Sequence, residues 1–121
     1  MAYRVLVVDD DPQVLKLLDS ILTRDGYVVQ TEESGKRAIE ILDTEAFDLM
    51  VLDLCMPAPD GFDILEQVRA AHPGLRVLAI SGFMGGALLK ASELLGATAT
   101  LNKMDAPRLL LQRVNHLLQR R

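Results

Sequence analysis

Apolar positions along the chain follow two alternating rhythms. Short continuous runs, rich in β-branched residues, occur at Arg4–Val8, Tyr27–Thr31, Leu49–Leu52, Arg76–Ile80 and Ala99–Leu101, and read as buried strands. Between them the apolar residues recur at helical spacing. Val14, Leu15, Leu18, Ile21 and Leu22 mark a first helix, opened by Asp11-Pro12 and ended at Gly26. Ala38, Ile39, Ile41 and Leu42 mark a second, opened by Ser34. Phe62, Ile64, Leu65 and Val68 mark a third, which stops before His72-Pro73-Gly74. A fourth spans Ala87–Leu95 and ends at Gly96, and a last one runs from about Pro107 to Gln119. On the last helix Leu110, Leu111, Val114, Leu117 and Leu118 cover an arc of about 120°. Leu109 falls outside that arc, beside Arg113 and Arg120, and an apolar residue framed by Arg reads as an interaction patch, with Leu109 and Arg113 expected to support self-association or partner binding.

Five β–α alternations with continuous apolar strands predict a parallel sheet covered on both faces. The fold expected is α/β, a flavodoxin-like doubly wound five-stranded parallel sheet of order 2-1-3-4-5 with five helices, forming one domain over residues 1–121. In such sheets ligands bind outside the carboxyl ends of the strands where the order reverses, here between the first and third strands.

Composition narrows the classes. Half of the 121 residues are apolar, enough for one core, and with no Trp and few aromatics that core must be aliphatic. A net charge of −4 carries no general nucleic-acid footprint, so direct nucleic-acid binding is not expected. The charge is uneven: Asp9, Asp10 and Asp11 are consecutive, while the segment after Asp105 holds four Arg and no acid. The one Cys, Cys55, excludes an intramolecular disulfide, and no apolar run approaches the ~18 residues of a membrane span. A cytoplasmic location without a membrane is the expectation.

The predicted strand ends carry the chemistry. Asp9 and Asp10 follow the first strand, Asp53 the third, Ser81 the fourth and Lys103 the fifth. Carboxylates gathered at adjacent strand ends repel one another and raise each other's pKa values. A divalent cation removes the conflict, and Mg²⁺ suits it because it takes a few carboxylates and keeps room for waters and phosphate oxygens. An Asp nucleophile, a cation, a hydroxyl and an amine together fit phosphoryl transfer to a carboxylate.

Over nearly its whole length the chain resembles the receiver (response regulator) family of two-component signal transduction. Val8-Asp9-Asp10 resembles the acidic pair after the first strand. Asp53-Leu54-Cys55-Met56-Pro57-Ala58-Pro59-Asp60-Gly61 resembles the phosphoacceptor segment, with Ser81 at the Ser/Thr switch position and Lys103 at the family's Lys. The resemblance implies that Asp53 is phosphorylated. It implies that Asp10 and Asp53 ligate Mg²⁺ directly with the Cys55 backbone carbonyl, Asp9 acting chiefly through water. It further implies a signalling phosphoacceptor rather than a conventional enzyme, one that supports its own phosphorylation and dephosphorylation. The implied phosphodonor is a histidine kinase or phosphotransfer protein, and the implied homodimer forms through the fourth helix, fifth strand and fifth helix. Two positions depart from the pattern: Met104 follows Lys103 where the family usually has a cis Pro, and Thr100 stands where an aromatic is frequent.

Other readings compete. A pseudo-receiver that binds partners without phosphorylation is the alternative; Asp9, Asp10, Asp53 and Lys103 argue against it. A haloacid-dehalogenase-type phosphatase would have Asp-x-Asp at the nucleophile, where this chain has Cys55, and a dinucleotide binder would have a Gly-rich loop after the first strand. Asp11 reads as a helix N-cap, His72 and His116 as surface residues, and Cys55 as neither redox nor metal-binding through its thiol. The loop Gly82–Gly86, with three Gly and no Pro, is expected to carry the switch motion.

Overall fold

The structure, a computed structural model, describes residues 2–82 and 86–119. The element order is β1 (Arg4–Val8), α1 (Pro12–Arg24), β2 (Val28–Glu32), α2 (Gly35–Thr44), β3 (Leu49–Asp53), α3 (Gly61–Ala71), β4 (Arg76–Ser81), α4 (Gly86–Leu94), β5 (Ala99–Asn102), a 3-10 turn at Lys103–Asp105, and α5 (Ala106–Leu117). The strands form one parallel sheet in the order β2-β1-β3-β4-β5, as the alternation predicts.

Side chains on each strand alternate between two cores. Val5, Val7, Leu49, Val51, Leu78 and Ile80 pack with Leu15, Leu18 and Leu22 of α1 and Leu110 and Val114 of α5. Leu6, Val8, Met50, Leu52 and Val77 pack on the other face with Ala38 and Leu42 of α2 and Ile64, Leu65 and Val68 of α3. Both faces of the central strands are covered, which is why those strands read as continuous apolar runs.

The helix starts are held by side chains. Asp11 Oδ1 accepts from Gln13 N at 2.9 Å, with Pro12 at the first helical position. Ser34 Oγ accepts from Arg37 N at 3.3 Å. Asp60 and Asp63 form a reciprocal capping box at 2.9 and 3.1 Å. Gly26 (φ 92°) and Gly96 (φ 105°) follow α1 and α4 in the left-handed region.

The boundaries differ from the sequence reading in physically simple ways. β3, β4 and β5 each continue one residue further, because Asp53 pairs with Ile80 and Ser81 with Asn102. β2 starts at Val28, since the N–H of Tyr27 is taken by Leu22 O at the end of α1. A 3-10 turn precedes α5: Asn102 Oδ1 accepts from Met104 N at 3.0 Å and turns the chain there. The Lys103–Met104 bond is trans; among the described residues only Ala58–Pro59 is cis. Leu109 is no outlier on α5, since it is half-buried and packs against the α1–α5 core. Arg113 Nη1 donates to Thr100 O at 3.2 Å and ties α5 to β5. Arg120, and residues 83–85 of the glycine-rich loop, lie outside the described residues. Among the described residues no helix is long and apolar enough to cross a membrane.

Candidate functional site at the strand ends

The parallel register brings the carboxyl ends of β1, β3, β4 and β5 to one edge, and each delivers a polar residue there. Asp9, Asp53 and Ser81 are buried, with 0%, 1% and 0% of their surface exposed, while Asp10 is exposed. Carboxylate oxygens of Asp9, Asp10 and Asp53 lie within 4.8 Å of one another. Lys103 Nζ reaches in from the end of β5, 2.8 Å from Asp9 Oδ2 and 3.2 Å from Asp53 Oδ2. Its stem passes over Gly82, where an added Cβ would lie 3.3 Å from Lys103 Cβ.

The two buried carboxylates are oriented alike. Asp9 Oδ1 accepts from Asp11 N at 2.9 Å, and Asp53 Oδ1 accepts from Cys55 N at 3.0 Å. Each thus fixes one oxygen on its own loop backbone and turns the other toward Lys103. Asp9 Oδ2 is buried and makes no aligned hydrogen bond among the described residues; Lys103 sits at ion-pair distance but off the hydrogen-bond direction.

Burial raises the Asp53 carboxyl above its ordinary value. The Cys55 N–H opposes the rise, Asp9 adds to it by charge repulsion, and Lys103 opposes it. For Lys103 burial acts downward, but the close Asp9 carboxylate and the charge of Asp53 outweigh it, so the ammonium is held above its ordinary value. One ammonium therefore faces three acids. Three clustered carboxylates, an incompletely satisfied buried oxygen and a remaining excess of negative charge fit an oxygen-liganded divalent cation.

Sequence reasoning missed three supports of the site. At Gly61, an added Cβ would lie 2.4 Å from Leu54 Cα and 2.5 Å from Asp53 O, so only glycine lets α3 start against the end of β3. The Asp60-Gly61 pair directly before an amphipathic helix was the available signal. Asn102, which caps the turn beside Lys103, left a weaker one, an Asn two residues before an N–H with no strand partner. The Cys55 side chain left none: its Sγ lies 3.5 Å from Ser81 Oγ across two strand ends. His72, 3.4 Å from Asp43, lines a cavity of about 490 Å³ with Phe47 and Leu75 at the far end of the sheet, away from the acids.

The response regulator receiver domain model matches residues 5–115. The chain belongs to the response regulator receiver family. Among curated relatives, this receiver domain is 40% identical over 77 residues to the transcriptional regulatory protein GlrR of Escherichia coli (strain K12), covering 64% of this chain and 17% of the relative. It is 39% identical over 72 residues to the regulatory protein VanRc of Enterococcus gallinarum, covering 60% of this chain and 31% of the relative. The match thus spans less than a third of either relative. A putative response regulator from Chloroflexus aurantiacus J-10-fl superposes with a TM-score of 0.92 at 28% identity, over 99% of this chain and 100% of that one. The response regulator TrrA of Thermotoga maritima in complex with Mg²⁺-BeF gives 0.86 at 26% identity, over 97% and 99%. The receiver domain is a module of two-component signalling, and nothing in these likenesses indicates a pseudo-receiver.

Proposed function

We propose that Asp53 is the phosphoacceptor of this receiver domain. The observation that carries the reading is the placement of Asp53, buried at the end of β3, with Lys103 Nζ at 3.2 Å and the Asp9 and Asp10 carboxylates beside it. An Asp53 carboxylate oxygen forms a new O–P bond while the bond from phosphorus to the donor breaks, and the donor keeps that electron pair. Asp10, Asp53 and the Cys55 backbone carbonyl would hold Mg²⁺, with Asp9 acting through water; the cation, when bound, neutralises charge on the phosphoryl oxygens. Lys103 takes one phosphoryl oxygen and Ser81 another, and the chain supports both phosphorylation and hydrolysis of the acyl phosphate.

The donor is a histidine kinase or a phosphotransfer protein, and the setting is cytoplasmic. The domain, spanning residues 1–121, signals to a partner, to an output domain or to a second copy through α4, β5 and α5. Leu94, 85% exposed at the end of α4, supports that face. The test is mass spectrometry after incubation with acetyl phosphate and Mg²⁺. The wild-type chain gains one phosphoryl group, about 80 Da, and Asp53→Asn gains none; equal labelling of the Asn variant would remove the assignment.

A further inference from the structure

Cys55 touches two parts of the site at once. Its backbone N–H donates to Asp53 Oδ1 at 3.0 Å, and its thiol sulfur lies 3.5 Å from the hydroxyl oxygen of Ser81. Ser81 is wholly buried at the end of β4, whereas Cys55 is exposed on the loop after β3. The contact therefore joins the phosphoacceptor loop to the neighbouring strand end through side chains, in addition to the Leu54 N to Ile80 O bond between their backbones.

We propose that Cys55 is a positioning residue for Ser81: in the unphosphorylated domain its thiol holds the Ser81 hydroxyl, and loading of Asp53 draws that hydroxyl away from sulfur toward the phosphoryl oxygen. This rests on Asp53 being the phosphoacceptor. Sulfur is a weak hydrogen-bond partner in either role, so the hold is soft. A charged phosphoryl oxygen is a far stronger acceptor for the same hydroxyl. The exchange is therefore downhill once Asp53 is loaded, and the thiol contact contributes to how firmly Ser81 stays back before that. A side chain without a polar atom at position 55 removes the competing contact and favours the loaded state.

The test is a double-mutant cycle on beryllofluoride affinity with Mg²⁺, read by NMR titration of wild type, Cys55→Ala, Ser81→Ala and the double variant. Loss of one weak hydrogen bond corresponds to about a threefold change in affinity. Cys55→Ala is expected to bind beryllofluoride about threefold more tightly in the wild-type background and to have no such effect in the Ser81→Ala background. In the same titration, the Ser81 amide resonance of unloaded Cys55→Ala is expected to move toward its loaded wild-type position. An affinity gain of the same size in both backgrounds overturns the role of Ser81 and leaves Asp53 as phosphoacceptor. An unchanged affinity with an unmoved Ser81 resonance does the same. Failure of the wild-type chain to bind beryllofluoride at all overturns this inference and the phosphoacceptor reading together.

Discussion

Lys103 Nζ lies 2.8 Å from Asp9 Oδ2, and this ion pair joins a carboxylate with no exposed surface to a side chain that is 26% exposed. The partner is unequal to the task, because the same ammonium also serves Asp53 at 3.2 Å while Asp10 stands close by. Removing it leaves a buried, uncompensated acid pair, the situation in which breaking an ion pair costs most. Lys103→Ala is therefore expected to lower the stability of the metal-free domain by about 2 kcal/mol, less than the cost for a fully buried pair because Lys103 is partly solvated. Mg²⁺ should recover part of the loss. Urea melts with and without Mg²⁺ check both statements. In the loaded state the variant loses the group that bridges to a phosphoryl oxygen, so the chemical-shift response to beryllofluoride should shrink; a wild-type response would remove Lys103 from the switch.

Asp53 gives a pH-dependent counterpart. Burial, joined by repulsion from Asp9, raises its carboxyl in the folded state above 3.8. The folded state thus holds its proton more tightly than the unfolded chain, and stability falls as pH rises from 3.8 through the folded value. Asn keeps the acceptor for the Cys55 N–H and carries no charge. Asp53→Asn should therefore raise the melting temperature of the metal-free domain at neutral pH by about 4 °C, the shift expected for about 1 kcal/mol. The gain should vanish below the unfolded value and shrink when Mg²⁺ is added. Equal melting of the two proteins at pH 7 without metal would show that burial of the Asp53 charge costs nothing.

Gly61 sets how closely α3 approaches the end of β3. A Cβ there would stand 2.5 Å from Asp53 O and 2.4 Å from Leu54 Cα, and both are backbone atoms that cannot turn aside. Gly61→Ala must push the start of α3 outward, at a cost of about 2–3 kcal/mol. Gly74, where a Cβ would meet nothing within 4 Å, is the control, and Gly74→Ala should be close to neutral. Chemical denaturation of the two variants, with Asp53 labelling by a small phosphodonor, separates them: labelling should slow for Gly61→Ala alone.

What the sequence made legible follows from what is local. Strand and helix order came through because a sheet covered on both faces demands continuous apolar strands, and Asp11, Ser34 and Gly26 punctuate the helices by themselves. The strand-end polar set was legible because β–α alternation fixes which residue follows each strand. The 3-10 turn after β5 was not, because it depends on the Asn102 side chain folding back onto Met104 N rather than on any period. The contact between Cys55 and Ser81 was equally hidden, since 26 residues separate partners that only the β3–β4 pairing brings together. Leu109 was misplaced for a related reason: a helical wheel takes one flat neighbour, whereas α5 packs into the angle between the sheet and α1 and buries a wider arc.

That correction decides where an association surface should be sought. The sequence offers Leu109 and Arg113 as its centre, but Leu109 packs against the core and Arg113 is bound to Thr100 O. Among the described residues of α4 only Ser92 is buried, and its hydroxyl is turned back to Leu89 O at 2.6 Å. Among the described residues α4 is the helix with the fewest buried side chains, and Leu94 at its end is 85% exposed. A large apolar side chain on a helix that buries so few of its own suits a contact that forms and dissolves with the state of Asp53, whereas a single exposed leucine alone would be ordinary. Leu94→Glu and Leu109→Glu should accordingly part company. Leu94→Glu should melt like wild type and weaken self-association or partner binding when the domain is loaded with beryllofluoride. Leu109→Glu should lose about 2 kcal/mol by placing a charge against the α1–α5 core. Sedimentation velocity with and without beryllofluoride, alongside thermal melts, measures both. Wild-type association by Leu94→Glu in the loaded state would exclude the end of α4 from the interface.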